Sequence, residues 1–266
     1  MPATADRPPR VATRRVRTHE LTWRLLRDSS HPGAANMALD HALAECLGEG
    51  QGVVRLYGWS APTISFGKNE PAERVEEEGR PRGVELEYVR RPTGGRAVLH
   101  DQELTYAVVA PLDAFGGLRE AYLGINKALA GAIRSLGAEV DVSAATEPLG
   151  VDAGPCFQSP TGGEVVAGGR KLVGSAQARL EGALLQHGSI LLAGDQGPLS
   201  EEGTAVTLSA LLGGVTVEGV VDAVADAYRK SFGGEWVDGG YEVREIEAAA
   251  RLEEERYGND DWTWRR

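Results

Sequence analysis

Residues 118 to 136 carry the pattern that most constrains this chain. Ala121, Tyr122, Ile125, Ala128, Leu129, Ala132, Ile133 and Leu136 recur at three- and four-residue steps, one apolar stripe of a helix. Gly137 supplies its stop. Such a stripe must be covered, and the segments around it are strand-sized. Val53 to Trp59, Thr63 to Phe66, Val84 to Arg90, Ala97 to Leu99 and Leu104 to Ala110 precede it. A segment near Val165, then Lys171 to Leu180 and Ala183 to Leu192, follow it, with Glu181-Gly182 reading as a hairpin turn. Two more helices are predicted. Ala34 to Leu47 repeats Leu39, Ala42, Leu43, Cys46 and Leu47; Val217 to Phe232 is capped by Thr216 and turns Val217, Val220, Val221, Val224 and Tyr228 inward. Runs of strands with inserted helices predict an α+β fold, a large mixed, mostly antiparallel sheet flanked by helices.

The ends differ from this body. Residues 1–18 hold Arg7, Arg10, Arg14, Arg15 and Arg17 against Asp6, with three prolines that oppose an amphipathic helix. They are expected to be a disordered basic tail, and residues 19–266 a single domain with its core at about 23–232. The stretch Glu242 to Arg256 has helical spacing, and Trp262 and Trp264 beyond it are expected to dock on the body. The net charge of −11 argues against non-specific nucleic-acid binding. No apolar run approaches the ~18 residues of a membrane span. Two cysteines, Cys46 and Cys156, form no disulfide framework and fit a reducing, cytoplasmic setting. Scattered histidines and cysteines make a zinc site unexpected.

Three segments carry candidate chemistry. In Arg90-Arg91-Pro92-Thr93-Gly94-Gly95-Arg96-Ala97-Val98-Leu99-His100, the glycines let main chain approach a ligand; the bland alternative is a turn with solvated arginines. In Gly154-Pro155-Cys156-Phe157, the cysteine sits on a proline- and glycine-flanked loop. It reads either as a nucleophile or as a half-buried inert thiol. The third segment runs from Gly169 through Lys171 to Arg179 and on to His187 and Gly188. Lys171 would share a strand face with Val173, Ser175 and Gln177, or be an exposed edge charge. His187 is a catalyst or a satisfied core histidine.

The run RRPTGGRAVLHDQELTY, then GPCF, then GRKLVGSAQARLEGALLQHGSILL, resembles the lipoate/biotin protein ligase superfamily, in particular its LipM-type octanoyltransferase branch. NMALDHAL and PTISFGKNE match the family's opening. The resemblance implies the ligase catalytic-domain fold and an activity: moving an octanoyl group from acyl carrier protein to a lysine of a lipoyl-type domain. Glycine cleavage H protein and a 2-oxoacid dehydrogenase E2 domain are examples of such acceptors. It also implies roles. Cys156 matches the residue that forms the acyl-thioester, and Lys171 the lysine that lowers its pKa and helps place the acyl carbonyl. Arg91, Thr93, Gly94, Gly95, Arg96, Ala97 and His100 match one wall of the acyl pocket; Gly174, Ser175, Ala176, His187 and Gly188 match the other. In one departure, Gly163 precedes Glu164 where the family often has an aromatic, which is expected to loosen that loop.

The chemistry implied needs no cofactor, because one thioester is exchanged for another. Making a thiol of pKa ~8.5 half ionised at neutral pH requires about 2 kcal/mol, which a nearby ammonium can supply. An ATP-dependent lipoate–protein ligase of the same fold is the alternative; such ligases need no cysteine and usually carry a third glycine where this chain has Arg96. An amidotransferase moving the acyl group between carrier domains is another. The two carrier-type partners tend to be acidic. The resemblance therefore predicts a locally basic docking face built from Arg90, Arg91, Arg96, Arg170 and Lys171.

Overall fold

The computed structural model describes residues 17–72, 86–144, 162–194, 196, 199 and 204–265. Cys156 and residues 1–16 lie outside them. Of the expected tail, Arg17 and Thr18 are described and tied down. The Thr18 amide donates to Ala114 O at 3.2 Å and its carbonyl accepts from Trp23 Nε1 at 3.0 Å.

Six strands form the main sheet in the order β10-β11-β6-β2-β1-β12. They are β1 (Thr22–His31), β2 (Gln51–Trp59), β6 (Glu103–Pro111), β10 (Val173–Leu180), β11 (Ala183–Leu191) and β12 (Glu235–Asp238). The pairings β10/β11, β11/β6 and β6/β2 are antiparallel; β2/β1 and β1/β12 are parallel. The sheet is thus mixed and mostly antiparallel, as its sequence predicts. Strands β1 and β12 were not predicted. β1 loses its apolar alternation after Leu26, where its register against β2 shifts between Arg27 and Ser30. β12 is a short edge strand exposed along most of its length.

Three shorter strands make a second sheet, with β3 (Thr63–Phe66) between β4 (Glu87–Arg90) and β5 (Val98–His100). Strands β7 (Asp141–Val142), β8 (Val165–Ala167) and β9 (Arg170–Lys171) make a third.

Two helices cover one face of the main sheet: α2 (Leu118–Ser135) and α4 (Val217–Phe232). Ile125, Leu129 and Ile133 of α2 meet Val220, Val224 and Tyr228 of α4 over Val54, Tyr106 and Val108. Val217, predicted to point inward, is 50 % exposed, because it opens the first turn of α4. The opposite face carries α1 (Gly33–Glu45), pressed between the sheet and α5 (Val243–Leu252). Its alanines keep it thin, and it buries Asn36, Asp40 and His41. Between them, α3 (Leu208–Leu212) follows β11, and α6 (Asp260–Thr263) follows a π-helical turn at Glu253–Tyr257.

The hairpin turn is where the sequence places it: Glu181 and Gly182 have φ of 47° and 89°, the two left-handed residues of a type I′ connection. The terminal tryptophans dock as expected. Trp262 Nε1 donates to Arg90 O at 2.9 Å, and Trp264 packs on Phe66 and Tyr88. No described helix is long and apolar enough to cross a membrane.

Candidate active site

A cavity lies on the α1 side of the sheet, between the Arg91 loop and strands β10 and β11. Alternation along the strands decides what reaches it. His187 and Ser189 of β11 share a face with Thr105 of β6 and Tyr57 of β2, and all four line the space. Of the twelve residues expected on its walls, eight line it: Arg91, Gly95, His100, Gly174, Ser175, Ala176, His187 and Gly188.

The other four support the loop. Thr93 Oγ1 lies 2.7 Å from His187 Nε2. The carbonyls of Gly94 and Arg96 accept from Arg91 Nη2 at 2.8 and 2.7 Å, and the Ala97 amide donates to Glu70 Oε1 at 3.0 Å. Arg91 Nη1 also donates to Ser65 O at 2.8 Å. The solvated-arginine reading of this loop is thereby corrected: Arg91 is 5 % exposed and serves as the clamp on which the loop folds. Close approach explains the glycines. A Cβ at Gly67 would stand 1.7 Å from Gly95 O, and one at Gly188 2.3 Å from Gly174 O.

Ser175 is a partial correction. Its backbone partner across the ladder is Gly188, but its hydroxyl reaches Tyr106 at 2.7 Å and Asn126 at 2.9 Å, among side chains of the α2 face. Its hydroxyl braces the sheet from the α2 side, while the residue still borders the cavity.

Two buried networks fix the cavity side chains, and their centres were absent from the expected set. Asp40 of α1 accepts from Arg55 Nη1, Tyr57 Oη and His187 Nδ1, each at 2.8 Å. Burial opposes ionisation of Asp40, yet the His187 hydrogen bond and the Arg55 charge outweigh it and hold its pKa below the ordinary value. Burial pushes His187 the other way, below its usual value, and the bond to Asp40 offsets only part of that. His187 is therefore neutral, with its proton on Nδ1 facing the carboxylate and Nε2 accepting from the Thr93 hydroxyl. The satisfied-core reading of His187 describes this geometry, and the residue still lines the cavity. Arg55 donates onward to Asp28 Oδ2 at 2.9 Å and Asn36 Oδ1 at 2.7 Å.

The second network centres on Glu103. Its Oε1 accepts from Thr105 Oγ1 at 2.6 Å and Ser189 Oγ at 2.8 Å, and lies 2.8 Å from His100 Nδ1. His100 Nε2 is 2.7 Å from the Ser65 hydroxyl. A charged residue inside an apolar strand was the available signal for Arg55; Asp40 hides among alanines of a helix.

Lys171 is 1 % exposed, which rules out the exposed-edge reading. Nor does it simply continue β10. Leu172 intervenes, and both Leu172 and Val173 enter the same core, so alternation breaks between Lys171 and the Ser175 face. Lys171 Nζ pairs with Glu164 Oε1 at 2.7 Å, and the Tyr122 hydroxyl donates to the same oxygen at 3.4 Å. Most of the loop expected to be loosened at Gly163 lies outside the described residues, and Gly163 itself is held by its backbone. Gly163 has φ of 92°, its amide donates to Ser143 O at 3.0 Å, and a Cβ there would stand 2.9 Å from Leu123 and 3.2 Å from the Tyr122 ring. Tyr122 of α2 places an aromatic ring against Gly163.

The basic docking face is also corrected. Arg90, Arg91 and Lys171 are buried, whereas Arg170 is exposed and Arg96 partly so. Arg90 donates to the carbonyls of Gly67, Trp262, Thr263 and Arg265, and burial together with nearby Arg265 lowers its pKa to about 10. Cys46, read as a core thiol, caps α1 half-buried; its Sγ contacts Arg244 O at 3.6 Å. Burial and the adjacent Glu45 push that thiol's pKa up, away from reactivity.

Residues 32–228 match the family model described as Lipoyl protein ligase A/B catalytic domain. The chain is 36 % identical to an octanoyltransferase LipM of Kyrpidia tusciae, over 92 % of this chain and 99 % of that one. It is 34 % identical to the octanoyltransferase LipM of Symbiobacterium thermophilum, over 93 % and 100 %. Among solved structures, lipoate-protein ligase A bound with ATP superposes with a TM-score of 0.75 at 21 % identity, over 92 % of this chain and 99 % of that one. A bi-partite lipoate protein ligase of Thermoplasma acidophilum gives 0.71 at 20 %, over 92 % and 96 %. A family match across most of the chain, with two relatives aligned end to end, establishes that this protein belongs to the lipoyl protein ligase A/B catalytic domain family.

Proposed function

We propose that this protein is an octanoyltransferase that moves an octanoyl group from acyl carrier protein to a lysine of a lipoyl-type domain, through a thioester on Cys156. The observation that carries the reading is the cavity itself. The loop from Arg91 and the strands around Gly174 and His187 meet around one mostly apolar pocket, edged by a few convergent polar groups such as His100 and His187. The end-to-end similarity to octanoyltransferases supports the acyl class.

In this reading Cys156 attacks the donor thioester, the carrier thiol leaves with the proton, and the acyl group passes to Cys156. The acceptor lysine's neutral amine then attacks, the C–S bond breaks as the amide forms, and the departing Cys156 sulfur takes up the proton that the amine sheds. The Lys171 ammonium is balanced by Glu164 at 2.7 Å, which holds it in place. Neutral His187 fixes the Thr93 hydroxyl and with it the Gly94–Gly95 backbone.

The test is a reconstituted reaction of octanoyl-carrier protein, a lipoyl domain and this enzyme without ATP. The lipoyl domain is expected to gain one octanoyl mass. Modification only from free octanoate plus ATP would assign the ligase reaction instead.

A further inference from the structure

Arg90 and Arg91 are neighbours in sequence but serve different segments. Arg91 folds the loop of residues 91–97 on itself, and Arg91 and Gly95 of that loop line the cavity. Arg90 turns instead toward the C-terminal end of the chain. There Gly258 ends the π-helical turn, and Asn259 caps α6 by accepting from the Asp261 amide at 2.8 Å. The strap that results, residues 259–265, lays its carbonyls on the Arg90 guanidinium. Arg90 Nε lies 3.0 Å from Trp262 O and 3.1 Å from Thr263 O, and Nη2 donates to Arg265 O at 2.9 Å. Trp262 Nε1 returns a bond to Arg90 O at 2.9 Å, and Trp264 packs on Phe66 and Tyr88.

The remaining arm of Arg90 reaches the turn at residues 67–70. Nη1 donates to Gly67 O at 2.8 Å and to Glu70 O at 2.5 Å, and Arg265 donates to Lys68 O. The same turn carries the Arg91 loop. The Lys68 amide donates to Thr93 O at 2.7 Å, Glu70 Oε1 accepts from the Ala97 amide at 3.0 Å, and Gly67 abuts Gly95 O. The turn is thus held between the strap on one side and the loop on the other. A planar guanidinium with donors on separate edges spans the strap and the turn at once; a lysine has a single nitrogen and cannot.

We propose that the C-terminal strap positions the acyl-binding loop: through Arg90 and the 67–70 turn it holds residues 91–97 in the closed arrangement that receives the donor's acyl group. For its substrate the inference rests on the octanoyltransferase reading above. Arg90 does not line the cavity, so it is a positioning residue. The cavity keeps its wall only while the loop is in place, and apparent affinity scales with the fraction of molecules that hold it there. Removing one hydrogen bond and two ring contacts from the strap is expected to lower that fraction about tenfold. Once the donor is bound the loop has its usual geometry, so the effect falls on KM and spares kcat. A merely structural role does the reverse, because fewer folded molecules lower the apparent kcat and leave KM unchanged.

The experiment measures transfer across concentrations of octanoyl-carrier protein, and amide hydrogen exchange, on the full chain. In the double variant Trp262→Ala, Trp264→Ala, which alters no cavity residue, donor KM should rise about tenfold at near wild-type kcat. Peptides covering residues 66–70 and 91–99 should exchange about tenfold faster, while those from α2 and α4, on the other face of the sheet, keep their protection. Trp264→Phe, which keeps a ring on Phe66 and Tyr88, should stay near wild type. Arg90→Lys should repeat the KM rise, and a wild-type KM there overturns the link through Arg90. An unchanged donor KM in a folded double variant overturns the proposal, whether or not kcat falls. If the double variant has no cooperative melt, Trp264→Ala alone is read in the same way. Wild type that transfers no octanoyl overturns the transferase reading; the exchange measurement then still decides the strap, and unchanged exchange at 66–70 and 91–99 overturns it.

Discussion

Asp40→Asn is the substitution that most directly probes how the cavity is held. The aspartate receives three donors at 2.8 Å, from Arg55, Tyr57 and His187, with its side chain wholly buried. An amide keeps the shape but has one oxygen and two N–H groups. With the oxygen toward Tyr57 and His187, its NH2 faces the Arg55 guanidinium, donor against donor. With the oxygen toward Arg55, its NH2 faces Tyr57 and His187, and His187 must move its proton from Nδ1 to Nε2 to accept. Removing one partner of a buried pair costs about 3–5 kcal/mol. Asp28 still contacts Arg55 at 2.9 Å, which points to the lower end, about 3 kcal/mol. For a chain of this size that is about 6–12 °C in Tm. Urea unfolding is the assay, with the midpoint falling at constant slope. Arg251→Ala is the control. Its partner Glu45 is only 2.6 Å away but the pair is solvent-exposed, so the urea midpoint should stay close to that of wild type. If Asp40→Asn unfolds within about 0.5 kcal/mol of wild type, the network does not hold the cavity as described.

Two further outcomes follow from the same geometry. Gly67→Ala places a Cβ against the carbonyl of Gly95 and must push the loop away; a stability loss of about 1–3 kcal/mol should accompany a fall in transfer kcat/KM of about a hundredfold, and normal kcat/KM would contradict the close approach. His41 is neutral in the fold because burial, then the Arg256 charge, lowers its pKa from 6.5 to about 4. As pH falls below 6.5 the unfolded chain takes up that proton first, so stability present above 6.5 is lost toward pH 4, up to about 2 kcal/mol by pH 5. Urea melts at pH 7 and 5 should show a smaller drop for His41→Gln; equal drops would refute the assignment.

The elements legible in the sequence are those whose own periodicity settles them. The stripe of α2, the Thr216 cap of α4 and the Glu181-Gly182 turn need no distant partner to be read. Strand β12 exists only because β1 offers it an edge, and β1 itself ends in polar residues. The site divides the same way. Glycines that allow close approach are visible as glycines, but Asp40 and Arg55 act through partners far along the chain: Asp40 meets Arg55 fifteen residues on and His187 in β11. Burial of Arg90, Arg91 and Lys171 likewise depends on carbonyls and a carboxylate from other segments, which is why a basic face read from sequence becomes interior clamps.

The central claim is a covalent acyl-enzyme, and intact-mass spectrometry of the protein mixed with octanoyl-carrier protein in the absence of ATP tests it most directly. The account predicts one octanoyl adduct, absent in Cys156→Ala, released by hydroxylamine, and passed to a lipoyl domain when one is added. An octanoylated lipoyl domain produced at the wild-type rate by Cys156→Ala would contradict it.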